Sequence, residues 1–192
     1  LEMPDGRYIP LKVRSLVGLS TLFAVLVLKK DMLDKVPEFH RRLKWFQKYR
    51  EKNNAYLVIE ELKDHDDILL SLVPGSRLIK LMRALLDEKE FLSRGGIRSI
   101  SKIHEHGYSV HIDGQDFGLD YQPGEGTSAL FGGNSNWRGP VWMPMNFLLV
   151  HALQQYCDYY KEQGMVEFPT GSGKYMLLSE VSHEISRRLI SV

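Results

Sequence analysis

The chain has 192 residues, a formal net charge of +1, 43% hydrophobic residues and 26% charged residues. That length can bury a sizeable core in one domain, and the composition excludes a disordered or fibrous chain. Balanced charge creates no field that would gather nucleic acid or an anionic membrane, so neither is an expected partner. Cys157 is the single cysteine, which excludes an internal disulfide and a Cys-x-x-Cys metal site. It fits a reducing compartment, and the cytoplasm is the expected location.

The opening "LEMPDGRYIPLKVRS" lacks the basic-then-apolar pattern of a secretory signal. Leu16 to Leu28 follows, with ten of thirteen positions hydrophobic. It is shorter than the ~20 residues that span a bilayer, so Ser15 to Leu28 reads as a buried helix. A second helix is expected from about Asp34 to Tyr49. Its apolar stripe is Val36, Phe39, Leu43 and Phe46, and Lys35, Glu38, Arg42 and Lys48 lie on the other face. The basic group Arg41, Arg42, Lys44, Lys48 and Arg50 reads as a solvated helix face. A third helix runs from Ser76, as its N-cap, to about Asp87, with Leu78, Met82, Leu85 and Leu86 as its stripe.

From about Glu88 to Gly139 no long helix is expected, and an insertion of that length is a candidate binding region. Within it, "YSVHIDGQDFGLDY" reads as a β-hairpin turned by Asp113-Gly114 in a type I′ turn. That register pairs Val110 with Phe117 and Tyr108 with Leu119. A buried helix from Pro144 to about Tyr160 comes next, containing Phe147, Leu148, Leu149, Val150, Ala152, Leu153 and Tyr156. Proline suits its first turn, and Gly164 stands beyond its end. An amphipathic helix from Ser179 to Ile190 closes the chain, with Val181, Ile185 and Leu189 on its stripe. A buried helix followed by an amphipathic one, twice, implies an inner and an outer layer. A ring of helical hairpins, an irregular bundle or a superhelical repeat would each produce it.

Several short strings imitate known sites. "TGSGK" at Thr170 to Lys174 lacks the leading glycine of a phosphate loop, because Phe168 stands there, and Tyr175 replaces its Ser/Thr. "DFG" at Asp116 to Gly118 has no other kinase element with it and falls inside the hairpin. His104 and His106, two apart, have no evident third ligand, and no metal or other cofactor is expected. Glu125, between glycines in "PGEGTS", could serve as a catalytic acid or base if desolvated. The competing reading is a carboxylate that braces the loop, and Asp120 is equally open.

"GGNSNWRGPVW", Gly132 to Trp142, holds two of the three tryptophans and an arginine among glycines and a proline. Tryptophan can cover the apolar face of a pyranose, and arginine and asparagine can bond its hydroxyl rim. Asn134, Asn136, Trp137, Arg138 and Trp142 are therefore the candidate substrate-binding residues, with a carbohydrate as partner. Two core-packed rings would explain the same string.

The string "GGNSNWRGPVWMPMNFLL" resembles the Trp-Arg-Gly-Pro-x-Trp-x-Pro-x-Asn signature of glycoside hydrolase family 63, the processing α-glucosidase-like group of six-hairpin glycosidases. "VRSLVGLSTLFAV", "LLDEKEFLSRGGIRSISKIHEHGY" and "EFPTGSGK…EVSHEISRRL" are similar to the same family, so the resemblance runs from about Pro4 to the end. It implies a mainly α fold, part of an (α/α)6 toroid, with the β-hairpin in a long inserted loop. It also implies cofactor-free, inverting cleavage of α-linked glucosides, in which one carboxylic acid protonates the leaving oxygen and another carboxylate activates water. Trp137, Arg138 and Trp142 would line the sugar site. The family's Gly-Leu-Asp acid does not transfer to Gly118–Asp120, whose hairpin context differs, and its base lies in a segment beyond Val192.

Residues 1–192 thus read as one incomplete segment of a glycosidase catalytic domain, inactive alone, with no initiator Met and an end inside a helical pattern. Its further partners would be the rest of that domain, or a second copy through exposed inner helices. The alternative is a non-catalytic helical module that binds a carbohydrate or a protein.

Overall fold

The computed structural model describes residues 1–3, 5–52, 58–61, 66–124 and 140–192. The apolar run after Ser15 is not one helix. Leu16–Phe23 forms a 3-10 helix whose Leu16, Leu19 and Leu22 are buried. The chain then leaves helical geometry at Ala24 (φ −81°, ψ 71°) and continues as strand β1, Val25–Leu28. An unbroken apolar run suits a buried helix or a buried strand equally. Val25 and Val27 favour the strand, because β-branched side chains fit a pleated surface.

β1 pairs antiparallel with β3 (Ile68–Ser71), and β3 pairs on its other side with β2 (Val58–Glu61). β1 is therefore an edge. Its outward Val27 N–H donates to Gln155 Oε1 at 3.3 Å, so a side chain from a later helix blunts that edge. Between β1 and β2 lie α1 (Lys30–Lys35) and α2 (Pro37–Lys52). Of the expected α2 stripe, Leu43 is buried and Phe46 half-buried, while Val36 and Phe39 remain exposed. Leu43 joins Leu33 and Ile68 in a small apolar cluster of their own.

The main core is built elsewhere. It gathers Leu16, Leu22, Leu69, Leu78, Met82, Leu85 and Leu92 with the apolar faces of two later helices. α3 (Gly75–Leu85) supplies Leu78, Met82 and Leu85 as expected. Its N-cap is Pro74 rather than Ser76, and no side chain caps it. α4 (Met143–Tyr160) buries Leu149, Ala152, Leu153, Tyr156 and Tyr159, and α5 (Leu178–Ile190) packs on it through Leu178, Val181 and Ile185. Tyr156 carries its hydroxyl inside by bonding Ser71 Oγ at 2.8 Å, which in turn donates to Val73 O. Burying that polar pair unbonded would cost more than its apolar contacts return. α4 is not covered all round, however: Phe147 is 69% exposed, and Met143 and Leu148 are also open. It ends at Lys161, with φ 49°, and a 3-10 turn carries the chain to Gly164.

Three two-stranded hairpins complete the described residues: β4 (Leu92–Ser93) with β5 (Gly96–Ile97), β6 (Tyr108–Ile112) with β7 (Gln115–Leu119), and β8 (Met165–Glu167) with β9 (Tyr175–Leu177). The β6–β7 register is the expected one, Tyr108 opposite Leu119 and Val110 opposite Phe117. Asp113 (φ 48°) and Gly114 (φ 80°) both take the left-handed backbone that a type I′ turn requires.

Five α-helices and nine short strands in four antiparallel sheets thus make the described residues mixed α/β. The expected mainly α fold, part of an (α/α)6 toroid, is overturned. Of its two inner-outer helix pairs, only α4–α5 exists among the described residues. The other dissolves because residues 25–28 pair as a strand, and α2 packs on the short α1 and the small sheet instead of on a buried helix. Among the described residues, no helix is long and apolar enough to cross a membrane.

Candidate functional site around Trp142

Glu125, Asn134, Asn136, Trp137 and Arg138 lie outside the described residues. Trp142 is described, and it is the N-cap of α4 (φ −82°, ψ 95°), half-buried, with no side-chain cap of its own. Pro144 occupies the first turn, where a missing N–H costs nothing. The first helical carbonyl, Trp142 O, accepts two bonds from one residue: Asn146 N at 3.0 Å and Asn146 Nδ2 at 3.0 Å.

Asn146 is fully buried. Its Oδ1 accepts from Ile97 N at 2.8 Å, and its Nδ2 also donates to Ile97 O at 2.9 Å. One carboxamide therefore joins β5 to the start of α4. Just upstream of Trp142, Pro140 O accepts from Ser99 N and Ser99 Oγ, both at 2.9 Å, and Arg98 bridges Val141.

Arg98 organises the same region from below. Its Nη1 donates to the carbonyls of Glu88, Glu90 and Leu92, and its Nε to Tyr121 Oη at 3.0 Å. The guanidinium also lies over the Tyr121 ring, 5.3 Å from its centroid. Tyr121 N donates to the carbonyl of His104. Residues on both sides of the 125–139 interval are thus anchored to the 98–104 stretch.

His104 is a buried structural histidine. Its Nε2 accepts from Arg14 N at 2.9 Å. Burial pushes its pKa below the ordinary histidine value, the Arg14 charge adds to that, and Glu90 opposes it. Arg14 and Glu90 form an ion pair. His106 is exposed. Among the described residues, no group of three or more His, Cys, Asp or Glu could hold a metal.

Asp120 is exposed and accepts both bonds from Gln122 Nε2, at 3.0 and 2.9 Å, a loop-bracing arrangement. Asp116, in the "DFG" string, pairs with His111 across β6–β7 at 2.8 Å. In "TGSGK" the backbone N–H groups already hold an anion: Glu167 accepts from Gly173 N at 2.7 Å and from Gly171, and those bonds hold its carboxyl below the usual range. That is the carboxylate's nest, not a phosphate's.

Sequence reasoning placed Trp142 in the candidate site but assigned no role to Asn146 or Arg98. The available signals for Asn146 were its place as the last residue of the Trp-Arg-Gly-Pro-x-Trp-x-Pro-x-Asn string and a carboxamide set among apolar residues in a helix expected to be buried. Arg98 carried no local signal, because its partners are three backbone carbonyls and a tyrosine 23 residues away.

The chain is 42% identical over 187 residues to an uncharacterized protein of Saccharomyces cerevisiae, covering 95% of this chain and 17% of that protein. It is 31% identical over 91 residues to a probable mannosyl-oligosaccharide glucosidase of Schizosaccharomyces pombe, covering 46% of this chain and 8% of that protein. The chain therefore spans less than a fifth of the length of these curated relatives. No family model matches it, and no solved structure does.

Proposed function

We propose that the chain is a segment of an inverting α-glycosidase acting on α-linked glucosides or oligosaccharides. In this reading Trp142, with Asn134, Asn136, Trp137 and Arg138, lines part of the sugar-binding surface. The observation that carries it is the similarity to a probable mannosyl-oligosaccharide glucosidase, joined to the Asn-Trp-Arg-Gly-Pro-Val-Trp string. The geometry supports it: a sugar-contacting indole needs a backbone that does not yield, and Pro140 is bonded by Ser99 while Trp142 is tied to Ile97 through Asn146. The acid and the base are assigned to polypeptide outside this chain. The exposed apolar side chains Met143, Phe147 and Leu148 on α4 are the surface offered to that polypeptide, or to a second copy.

Titration of the chain with glucose-based disaccharides, followed by tryptophan fluorescence, tests the sugar surface. Saturable binding is expected, and Trp142→Ala should weaken it by about tenfold or more, the loss of roughly one well-made ring contact. Affinity unchanged in Trp142→Ala would remove Trp142 from the site. Hydrolysis of an α-glucoside by the chain alone would refute the assignment of both carboxylates elsewhere.

The second reading, a non-catalytic module for a carbohydrate or a protein, is favoured by a separate feature. Trp45 and Tyr49 stack on the open side of α2, with ring centroids 5.5 Å apart and Trp45 65% exposed. Sugar binding without turnover, even when the remaining polypeptide is supplied, would select it.

A further inference from the structure

We propose that Asn146 is a positioning residue for sugar recognition: its side-chain amide sets the backbone from which the Trp142 indole projects. This rests on the sugar-surface reading above. Three observations meet at this one carboxamide. It is fully buried, and three of its hydrogen bonds run to two different segments, Ile97 N, Ile97 O and Trp142 O. Trp142 O already accepts the first helical bond from Asn146 N, and the amide adds a second donor to that same carbonyl, fixing it from two directions. Finally, the wall beside it is a glycine that leaves no room for a side chain against Leu189 or the amide. A Cβ on Gly96 would meet Asn146 Oδ1 at 3.2 Å and Leu189 Cδ2 at 2.6 Å, and Gly96 has φ +114°.

The bonding pattern requires one acceptor and two donors on a single planar group, which among short side chains only asparagine supplies. Alanine or leucine would leave Ile97 N–H without this acceptor. An ionised aspartate would set negative charge against two carbonyl oxygens. A neutral aspartic acid restores the acceptor and one donor with the same shape. The clamp is therefore switchable in Asn146→Asp, which allows its effect on Trp142 to be separated from a general loss of packing. Charged groups on the elements around it are Arg98, Arg188, which donates to Ser93 O, and Glu184, which pairs with Arg188. Glu184 is held down to about 2 by its bonds to Arg187 and Arg188, so it keeps its charge across neutral and alkaline pH. His151 and His183 are exposed on α4 and α5, and the wild-type chain is measured in parallel as the reference at each pH.

The experiment uses the full 192-residue chain carrying fluorotryptophan, read by fluorine NMR, with the Trp142 resonance assigned from Trp142→Phe. Disaccharide affinity is measured in the same samples, and far-UV circular dichroism verifies the fold at each pH. At acid pH the neutral carboxyl of Asn146→Asp keeps the acceptor for Ile97 N and one of the two donors, so the Trp142 resonance and the affinity should lie closest to wild type there. On ionisation the resonance should move and binding should weaken about tenfold, as for one lost hydrogen bond, while wild type stays flat. Asn146→Ser, which cannot bridge both partners, should show the displaced resonance at every pH. It also covers the case in which Asn146→Asp unfolds on ionisation. Ile185→Val, a core change on α5, should lower stability and move neither readout. An unmoved Trp142 resonance in folded Asn146→Asp and Asn146→Ser, or equal movement in Ile185→Val, would overturn the assignment. If the wild-type chain binds no disaccharide, the sugar reading falls, and a positioning role in sugar recognition falls with it. The fluorine signal would then still report whether the clamp sets Trp142.

Discussion

Two helices of similar length, α4 with 18 residues and α2 with 16, are held in different ways. α4 presses Leu149, Ala152, Leu153, Tyr156 and Tyr159 into the main core and meets α5, β1 and the 3-10 helix Leu16–Phe23. α2 adds Leu43 to a cluster whose other buried members are Leu33 and Ile68. Both sequences show apolar residues at helical spacing. The difference lies in how many surfaces arrive to cover them, so an apolar stripe reports where a helix can pack and not how much it gains there.

The sharpest way to break that contrast is to hollow each side in turn. Leu153→Ala, at 1% exposure amid α5 and the core, should cost about 3–4 kcal/mol, lowering the thermal midpoint by about 10 °C. Leu43→Ala should cost about 2 kcal/mol or less, because its smaller cluster can collapse or admit water. Equal losses in chemical denaturation would show that the α2 cluster is no satellite.

A pH scan examines the region that joins the main core to Trp142. His104 has a folded pKa below its unfolded value near 6.5, because burial disfavours its charged form. The unfolded chain then binds the extra proton first, so stability is full above pH 6.5 and declines as pH falls from there toward the lowered folded value. His104→Asn should flatten that part of a midpoint-against-pH curve. The reverse slope would contradict a neutral imidazole accepting from Arg14 N.

The smallest expected effect is at the open face of α2. Trp45→Ala should change stability by no more than about 0.5 kcal/mol despite removing the largest side chain on that helix, since the ring is mostly in water. A larger loss would mean that the Trp45–Tyr49 stack supports the fold.

Much of this architecture was legible residue by residue. The β6–β7 hairpin was, down to its register, because Asp113-Gly114 permits positive φ at both turn positions and the flanking alternation admits one pairing. The stripes of α3 and α5 were legible for the same local reason. The 16–28 run was not, since helix and strand bury it equally well until β3 arrives to pair with residues 25–28. β3 itself, four residues long, has too little length to show a period. At the candidate site, Trp142 stood out by its chemistry. Asn146 was present in the same string as Trp142 but its role was not legible, because its partner is Ile97, 49 residues away, and Arg98 did not stand out, because its partners are three carbonyls 6–10 residues away and the Tyr121 hydroxyl.

By itself, then, the order of residues determined the local geometry: where turns fall, which side of α3 and α5 is apolar, and that tryptophan, arginine and asparagine crowd one stretch. These are short-range properties of backbone sterics and side-chain spacing. Tertiary structure decided the rest: that an apolar run splits into 3-10 helix and edge strand, that α4 leaves Phe147 in the open, and that a buried carboxamide ties Trp142 to Ile97. Such outcomes depend on long-range partners, because burial and hydrogen-bond satisfaction are settled only when distant segments meet.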